Sequence, residues 1–241
     1  MMTESPKISV LVPCYNEETI IEATADRLLG DLPHCSERFE IVFCDDGSTD
    51  DTWQILQILE KQHEQIKAVG YKQNRGAGYA FREALKYAKG EYLIHMDADL
   101  AMDPREVCMM VREQLRSNDI AIGSRYKGTK PDYPLRRRIP SLVYSALYRM
   151  LLKLPLRDAM SGFFGFRRQL LEHIPPLTMD GFEVYLELFV KARAMGYSLV
   201  ELPIKFSHKI DSGEVSVLTH APRQFINTIM VWKRSRFDWG L

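Results

Sequence analysis

Over its first 125 residues the chain alternates short apolar runs with segments of helical period, and each apolar run ends in a polar loop. Ile8 to Val12 stops at Pro13, after which Ile21, Ala25, Leu28 and Leu29 recur at the spacing of one helix face. Glu40 to Cys44 runs into DDGSTDD, and Thr52, Ile55, Leu56 and Leu59 then share a face. Ile66 to Tyr71, the glycine-bearing turn NRGAGY and the stripe Ala80, Phe81, Ala84, Leu85 and Ala88 make a third unit, with Gly90 as its helix stop. Tyr92 to Met96 is a fourth strand, Val107, Met110, Val111 and Leu115 mark the next helix, and Asp119 to Ile122 is a fifth strand ending in GSR. Parallel neighbours need crossover connections, so this alternation predicts an α/β chain with a mainly parallel central sheet flanked by helices. Ligands of such sheets bind at the carboxyl ends of the strands. PCYNEE, CDDGSTD, NRGAG, DADL and GSR each lie just past a predicted strand and are expected to line one crevice.

At 241 residues and 46% hydrophobic content the chain can bury one large core, and no linker, repeat or low-complexity tract divides it. Lys+Arg and Asp+Glu both total 32, so bulk charge gives no pull toward nucleic acid. Cys14, Cys35, Cys44 and Cys108 show neither CxxC spacing nor the density of a disulfide scaffold, and are expected to be buried thiols of a reducing compartment. MMTESPKISVLVP lacks the pattern of a secretory signal, which predicts a cytoplasmic protein. No run reaches the roughly 20 apolar residues that span a bilayer.

The acids carry the chemistry. Asp97 and Asp99 flank Ala98 at the end of an apolar strand, and in an extended chain their side chains point the same way. Two such carboxylates repel unless a hard divalent ion, Mg²⁺ or Mn²⁺, lies between them and leaves positions for phosphate oxygens. Asp45 and Asp46 end the second strand, where carboxylates can accept hydrogen bonds from a base or ribose, with Asp50 as a helix cap beside them. Asn74, Gly76 and Gly78 predict a tight turn with backbone near a ligand, but the GxGxxG of a dinucleotide-binding oxidoreductase is absent. His95 reads as a satisfied strand residue.

In this order and spacing PCYNEE, DDGSTD, NRGAG, DADLxxxP and GSR resemble the family 2 glycosyltransferases of the GT-A fold. The continuation, RR…S, D..SGFFGFRR and PIKF…GE, is most similar to the polyprenol phosphate sugar synthases, so the resemblance covers residues 8 to about 216. It implies a single GT-A, Rossmann-like domain over 1–241, with 8–125 binding the nucleotide sugar and 126–241 the acceptor. It also implies an inverting, metal-dependent transfer of a sugar, mannose from GDP-mannose first, to a polyprenol or dolichol phosphate. Pro13, Tyr15, Glu17, Asp45, Asp46 and Gly76, together with Asp97, Ala98 and Asp99, are then expected around the donor. Asp97 and Asp99 would hold the metal, and Asp99 and Arg125 would be the catalytic pair. Arg125, Arg137, Ser141 and Lys209 would meet the acceptor phosphate. Ala101 stands where the family often has a glutamine ligand, and Lys209 where it usually has Arg, which loses the bidentate fork.

A phosphate acceptor is already anionic and needs no general base. A saccharide or protein hydroxyl acceptor would need one, with Asp158 and Glu183 as candidates, and UDP-glucose is the second choice of donor. A non-catalytic nucleotide-sugar-binding regulator is the reading from another class. Val143, Leu147, Met150, Leu151 and Leu154 make an apolar stripe suited to a membrane interface, and QFINTIMVWKRSRFDW mixes apolar and basic residues. The chain is therefore expected to be peripheral on the cytoplasmic face of a membrane, or to dock on a membrane-anchoring subunit.

Overall fold

The computed structural model describes residues 7–99, 101–114, 119–127, 135–205 and 217–237, of which 113–114, 135–142, 144, 217–225 and 237 are described by backbone alone. The elements are β1 (Ile8–Cys14), α1 (Ile21–Asp31), β2 (Phe39–Asp45), α2 (Thr52–Gln62), β3 (Ile66–Gly70), α3 (Ala77–Tyr87), β4 (Tyr92–His95) and α4 (Glu106–Met109). A π-helical turn, Met110–Gln114, continues α4. The second half adds β5 (Ile120–Ser124), α5 (Leu135–Leu152), β6 (Phe164–Arg167), α6 (Leu170–His173), α7 (Glu183–Ala194), β7 (Leu199–Pro203) and α8 (Val217–Phe237).

The strands form one seven-stranded sheet in the order β3-β2-β1-β4-β6-β5-β7. All pairings are parallel except those of β6, which runs antiparallel to both β4 and β5. The mainly parallel sheet matches the expectation from alternation, but β5 does not neighbour β4, because SGFFGF inserts between them. Its aromatics explain the insertion. Phe164 and Phe166 enter the core on the side of α3 and α7, while Phe163 enters the opposite one, and all three are fully buried. Complete burial of such a side chain contributes about 1.5–3 kcal/mol, which an edge position with one face in water would not supply. The period of two is equally plain in β1, where Ile8, Val10 and Val12 pack with α1 and α2 while Leu11 packs with α3.

The chain steps outward from β1 through β2 to β3, then crosses to the other side of β1 for β4. Strand order therefore reverses between β1 and β4, and at such a switch point the loops leaving the two strands diverge and open a crevice. Tyr15 to Glu17, just past β1, and Asp97 to Asp99, just past β4, belong to those two loops.

Two expectations are corrected. Cys14 and Cys44 are buried free thiols, but Cys35 and Cys108 form a disulfide across a sequence separation of 73. Packing of the 3-10 turn after α1 (Leu32–His34) against α4 brings them together, and spacing along the chain could not reveal it. A chain with a disulfide does not have the four free thiols expected of a reducing compartment. Closing so long a loop restricts the unfolded chain, so reduction should destabilise the protein by about 4 kcal/mol. Melting with and without a thiol reductant, with Cys35→Ser as the control, should show a matching fall in Tm; equal melting in all three would refute it.

The interfacial stripe also divides. Val143 and Met150 are 61% and 78% exposed, whereas Leu154 is buried and Tyr148, read as flanking the stripe, is buried too. Leu154 lies beyond the end of α5, so the helical spacing did not extend to it. Among the described residues no helix is long and apolar enough to cross a membrane.

Candidate active site

The crevice is stitched together by its own loops. Asn16, at a positive φ of 55°, receives a hydrogen bond from the Thr49 N–H on its Oδ1 (2.8 Å) and donates its N–H to Ser48 Oγ (2.9 Å). Asn tolerates this left-handed conformation better than most side chains. The Glu17 N–H reaches Thr52 Oγ1 at 2.8 Å, and the Asp51 N–H reaches Glu18 Oε2 at 3.0 Å. The PCYNEE and DDGSTD loops thus form one wall, with Pro13 half-buried and Tyr15 exposed on it. Asp50 accepts the Thr52 N–H at 3.1 Å and so meets a helix-start donor, but the N-cap position itself is Asp51, one residue later than expected.

Asp45 and Asp46 are both buried. Asp45 accepts the N–H and hydroxyl of Ser48, and burial raises its pKa. Asp46 accepts from Tyr71 OH (2.6 Å), Arg75 N–H (2.8 Å) and Gly76 N–H (2.8 Å), so both its oxygens hold the NRGAG turn in place. Gly76 sits at φ 98°, and a Cβ there or at Gly78 would run into the carbonyls of Met179, Asp180 and Gly181. The Gly78 N–H donates to Asp180 O at 2.7 Å. These glycines meet the protein's own 179–181 loop, and that contact by itself requires their lack of a side chain.

Asp97, Ala98 and Asp99 lie beyond the end of β4, with Ala98 and Asp99 in a turn, so the extended-strand argument for their common direction does not hold. They converge all the same. Burial first, then Asp99, raises the Asp97 pKa to about 7, with the Arg125 charge opposing. Burial first, then Asp99 and Asp50, raises Glu17 to about 7. Glu17 from the first loop therefore joins the pair electrostatically. The loop is pinned by Thr24 of α1, whose hydroxyl donates to Ala98 O at 2.6 Å, and by the Ala101 N–H, which donates to Asp99 Oδ1 at 2.9 Å. Among the described residues no group of three or more His, Cys, Asp or Glu side chains is arranged to hold a metal ion by itself.

Opposite the acids stands Arg125, just past β5. Its guanidinium forks the buried Asp158 carboxylate (Nε to Oδ2 2.8 Å, Nη2 to Oδ1 2.7 Å), and its N–H adds a third bond at 3.0 Å. Glu201 Oε1 in turn accepts the N–H groups of Arg157 (2.6 Å) and Asp158 (2.7 Å). Such bidentate pairing fixes the plane of the guanidinium. Asp158 is thereby committed to Arg125, and Glu183 accepts Asn227 Nδ2 at 2.9 Å. Arg137 and Ser141 lie on α5, but their side chains are outside the described residues, as is Lys209 altogether.

Sequence reasoning missed the support behind Asp97. His95 is fully buried, with Nδ1 2.6 Å from Gly162 O and Nε2 2.8 Å from Tyr185 OH, and its ring stacks on Phe164. Burial lowers its pKa to about 4, so it is neutral, donating to the carbonyl and accepting from the tyrosine. Gly162 lies against the Asp97 carboxylate, where any Cβ would overlap it. Gly162, the first glycine of SGFFGF, was the available signal.

The raised carboxyl groups set a pH dependence. Folded values near 7 against unfolded values near 4 mean that the folded state binds more protons between them, so stability falls as pH rises through that window. His95 acts oppositely between about 4 and 6.5, but is one group against two. Tm should decline from about pH 5 to about pH 8 at fixed ionic strength, and Asp97→Asn should flatten the slope. A wild-type Tm that climbs over the range would contradict the assignment.

The family model for glycosyl transferase family 2 matches residues 9–175. A dolichol-phosphate mannosyltransferase of Saccharomyces cerevisiae is 32% identical over 220 residues, 88% of this chain and 76% of the relative. One from Pyrococcus furiosus is 33% identical over 83% of this chain and 56% of its own length, and glycosyltransferase AglD of Haloferax volcanii is 32% identical over 86% and 34%. The chain thus spans about a third of the Haloferax relative and just over half of the Pyrococcus one. Among solved structures, Mycobacterium tuberculosis glucosyl-3-phosphoglycerate synthase in complex with UDP superposes with TM-score 0.70 at 19% identity, over 95% of this chain and 80% of that one. Mannosyl-3-phosphoglycerate synthase from Rubrobacter xylanophilus gives 0.69 at 16%, over 98% and 75%. These likenesses establish the GT-A fold. With the family model matched over well over half its length, and relatives near one-third identity over most of it, the chain belongs to glycosyl transferase family 2.

Proposed function

We propose that this chain transfers a hexose, mannose from GDP-mannose in the first instance, to the phosphate of a polyprenol such as dolichol, with inversion at the anomeric carbon. The observation that carries the reading is the meeting of Asp97, Asp99 and Glu17 with Arg125 at the switch point of the sheet. The two relatives named dolichol-phosphate mannosyltransferase support the substrate class. Asp99 raises the pKa of both Asp97 and Glu17, and carboxylates crowded in this way fit a divalent cation, which would relieve the repulsion. Asp97 and Asp99 would hold it, Mg²⁺ or Mn²⁺, and it would supply charge neutralisation for the departing diphosphate. Pro13, Tyr15 and Glu17 border the base and ribose, with Asp45 and Asp46 shaping that wall and Gly76 the turn beside it. Arg125, held in plane by Asp158, orients the incoming phosphate, with Arg137, Ser141 and Lys209 as its further partners.

The acceptor oxygen is anionic, so no protein base is needed. The commitment of Asp158 to Arg125 favours this over a hydroxyl acceptor. A lipid acceptor brings the chain to the cytoplasmic face of a membrane, directly or through an anchoring subunit. Incubation with GDP-mannose or UDP-glucose, dolichol phosphate and Mn²⁺ should give the β-linked lipid phosphate sugar from an α-linked donor, with GDP-mannose the better donor. Retention of configuration, or transfer only to soluble hydroxyls, would sink the proposal. Specific donor binding without transfer would point to the regulator.

A further inference from the structure

At its last turn α5 meets α7 and α8 over a cavity of about 300 Å³. Leu152, Val190 and Trp232 give it apolar walls, and Lys153, Arg193 and Arg236 also line it, with no carboxylate among the lining residues. Arg236 lies 5.2 Å from the Trp232 ring centroid. Several cations elsewhere on the surface are matched, as in Arg27 with Asp31, Lys67 with Glu60 and Arg105 with Asp103. The three cavity cations make no ion pair among the described residues. Like charges gathered round an apolar recess repel one another and attract an anion that also carries hydrocarbon.

We propose that this cavity binds the phosphate headgroup and acyl root of an anionic phospholipid. Met150 and Met195, each adjacent in sequence to a lining residue, are 78% and 51% exposed, which adds apolar contact beyond the pocket. That combination of basic rim and exposed apolar side chains suits a lipid surface better than a free ion. The Ala194 end of α7 leads into the start of β7, which pairs with the start of β5, so the cavity lies at the amino ends of the strands, away from the crevice. Its lipid is not the acceptor, and the proposal stands apart from the transfer reaction.

Co-sedimentation of the full chain with vesicles tests it. The protein should partition to phosphatidylcholine vesicles containing phosphatidylglycerol and not to phosphatidylcholine alone. Arg193→Gln with Arg236→Gln should lower partitioning by roughly 25-fold, about fivefold for each cation near an anionic surface. The Lys pair at the same positions should retain it, and Tm and nucleotide-sugar binding should be unchanged in both. Equal binding to neutral vesicles, or wild-type partitioning by the Gln pair, would overturn the proposal. Release by inorganic phosphate beyond that of sodium chloride at equal ionic strength would reassign the cavity to free phosphate.

Discussion

Asp99→Ala is expected to lower sugar transfer by at least ~10³-fold, the scale of several kcal/mol that metal-assisted charge neutralisation contributes to a transition state. The protein should still fold. Asp99 is half-buried, and the hydrogen bond from the Ala101 N–H that it loses is a local one. Its removal also relieves Asp97 and Glu17 of a neighbouring charge, so their pKa values should fall and the metal-free Tm should hold or rise slightly. Loss of activity with retained stability separates a chemical role from a structural one. Measurement of kcat/KM together with Tm decides it, and full activity in the variant would remove Asp99 from the mechanism.

Glu187→Ala should destabilise the fold by about 3–5 kcal/mol, because it breaks a buried ion pair by removing the carboxylate beside the Lys191 ammonium. Glu187 and Lys191 are 0% and 1% exposed and pair at 2.6 Å on successive turns of α7. The glutamate also accepts the Thr178 N–H and hydroxyl and the Met179 N–H, and Lys191 donates to Pro176 O at 2.7 Å. Together they hold the segment whose 179–181 carbonyls abut Gly76 and Gly78. The variant should therefore melt roughly 10 °C lower and bind a nucleotide sugar more weakly, since the NRGAG turn loses its support. A denaturation midpoint within ~1 kcal/mol of wild type would show that the pair is not the clamp described.

Much of the frame was legible along the chain. A strand that alternates between two cores, as β1 does, writes its period into consecutive residues, and helices such as α3 show their buried stripe in the same way. The crevice was legible too, since parallel strands place their following loops at one edge. SGFFGF escaped because its strand, Phe164–Arg167, is only four residues long and has a glycine inside it, too short a run to mark a strand as the longer run Ile8 to Val12 of β1 does.

The sequence by itself determined the alternation, the parallel sheet and the position of Asp97 and Asp99 at a strand end, all of which follow from spacing within about twenty residues. Tertiary structure alone decided which partner each group meets. Arg125 finds Asp158 33 residues away, Asp46 finds the NRGAG turn 29 and 30 residues away, and Cys35 finds Cys108 at 73. Local periodicity carries no record of such pairings, because they form only once separate loops are brought to one edge of the sheet and each buried polar group must find a partner there.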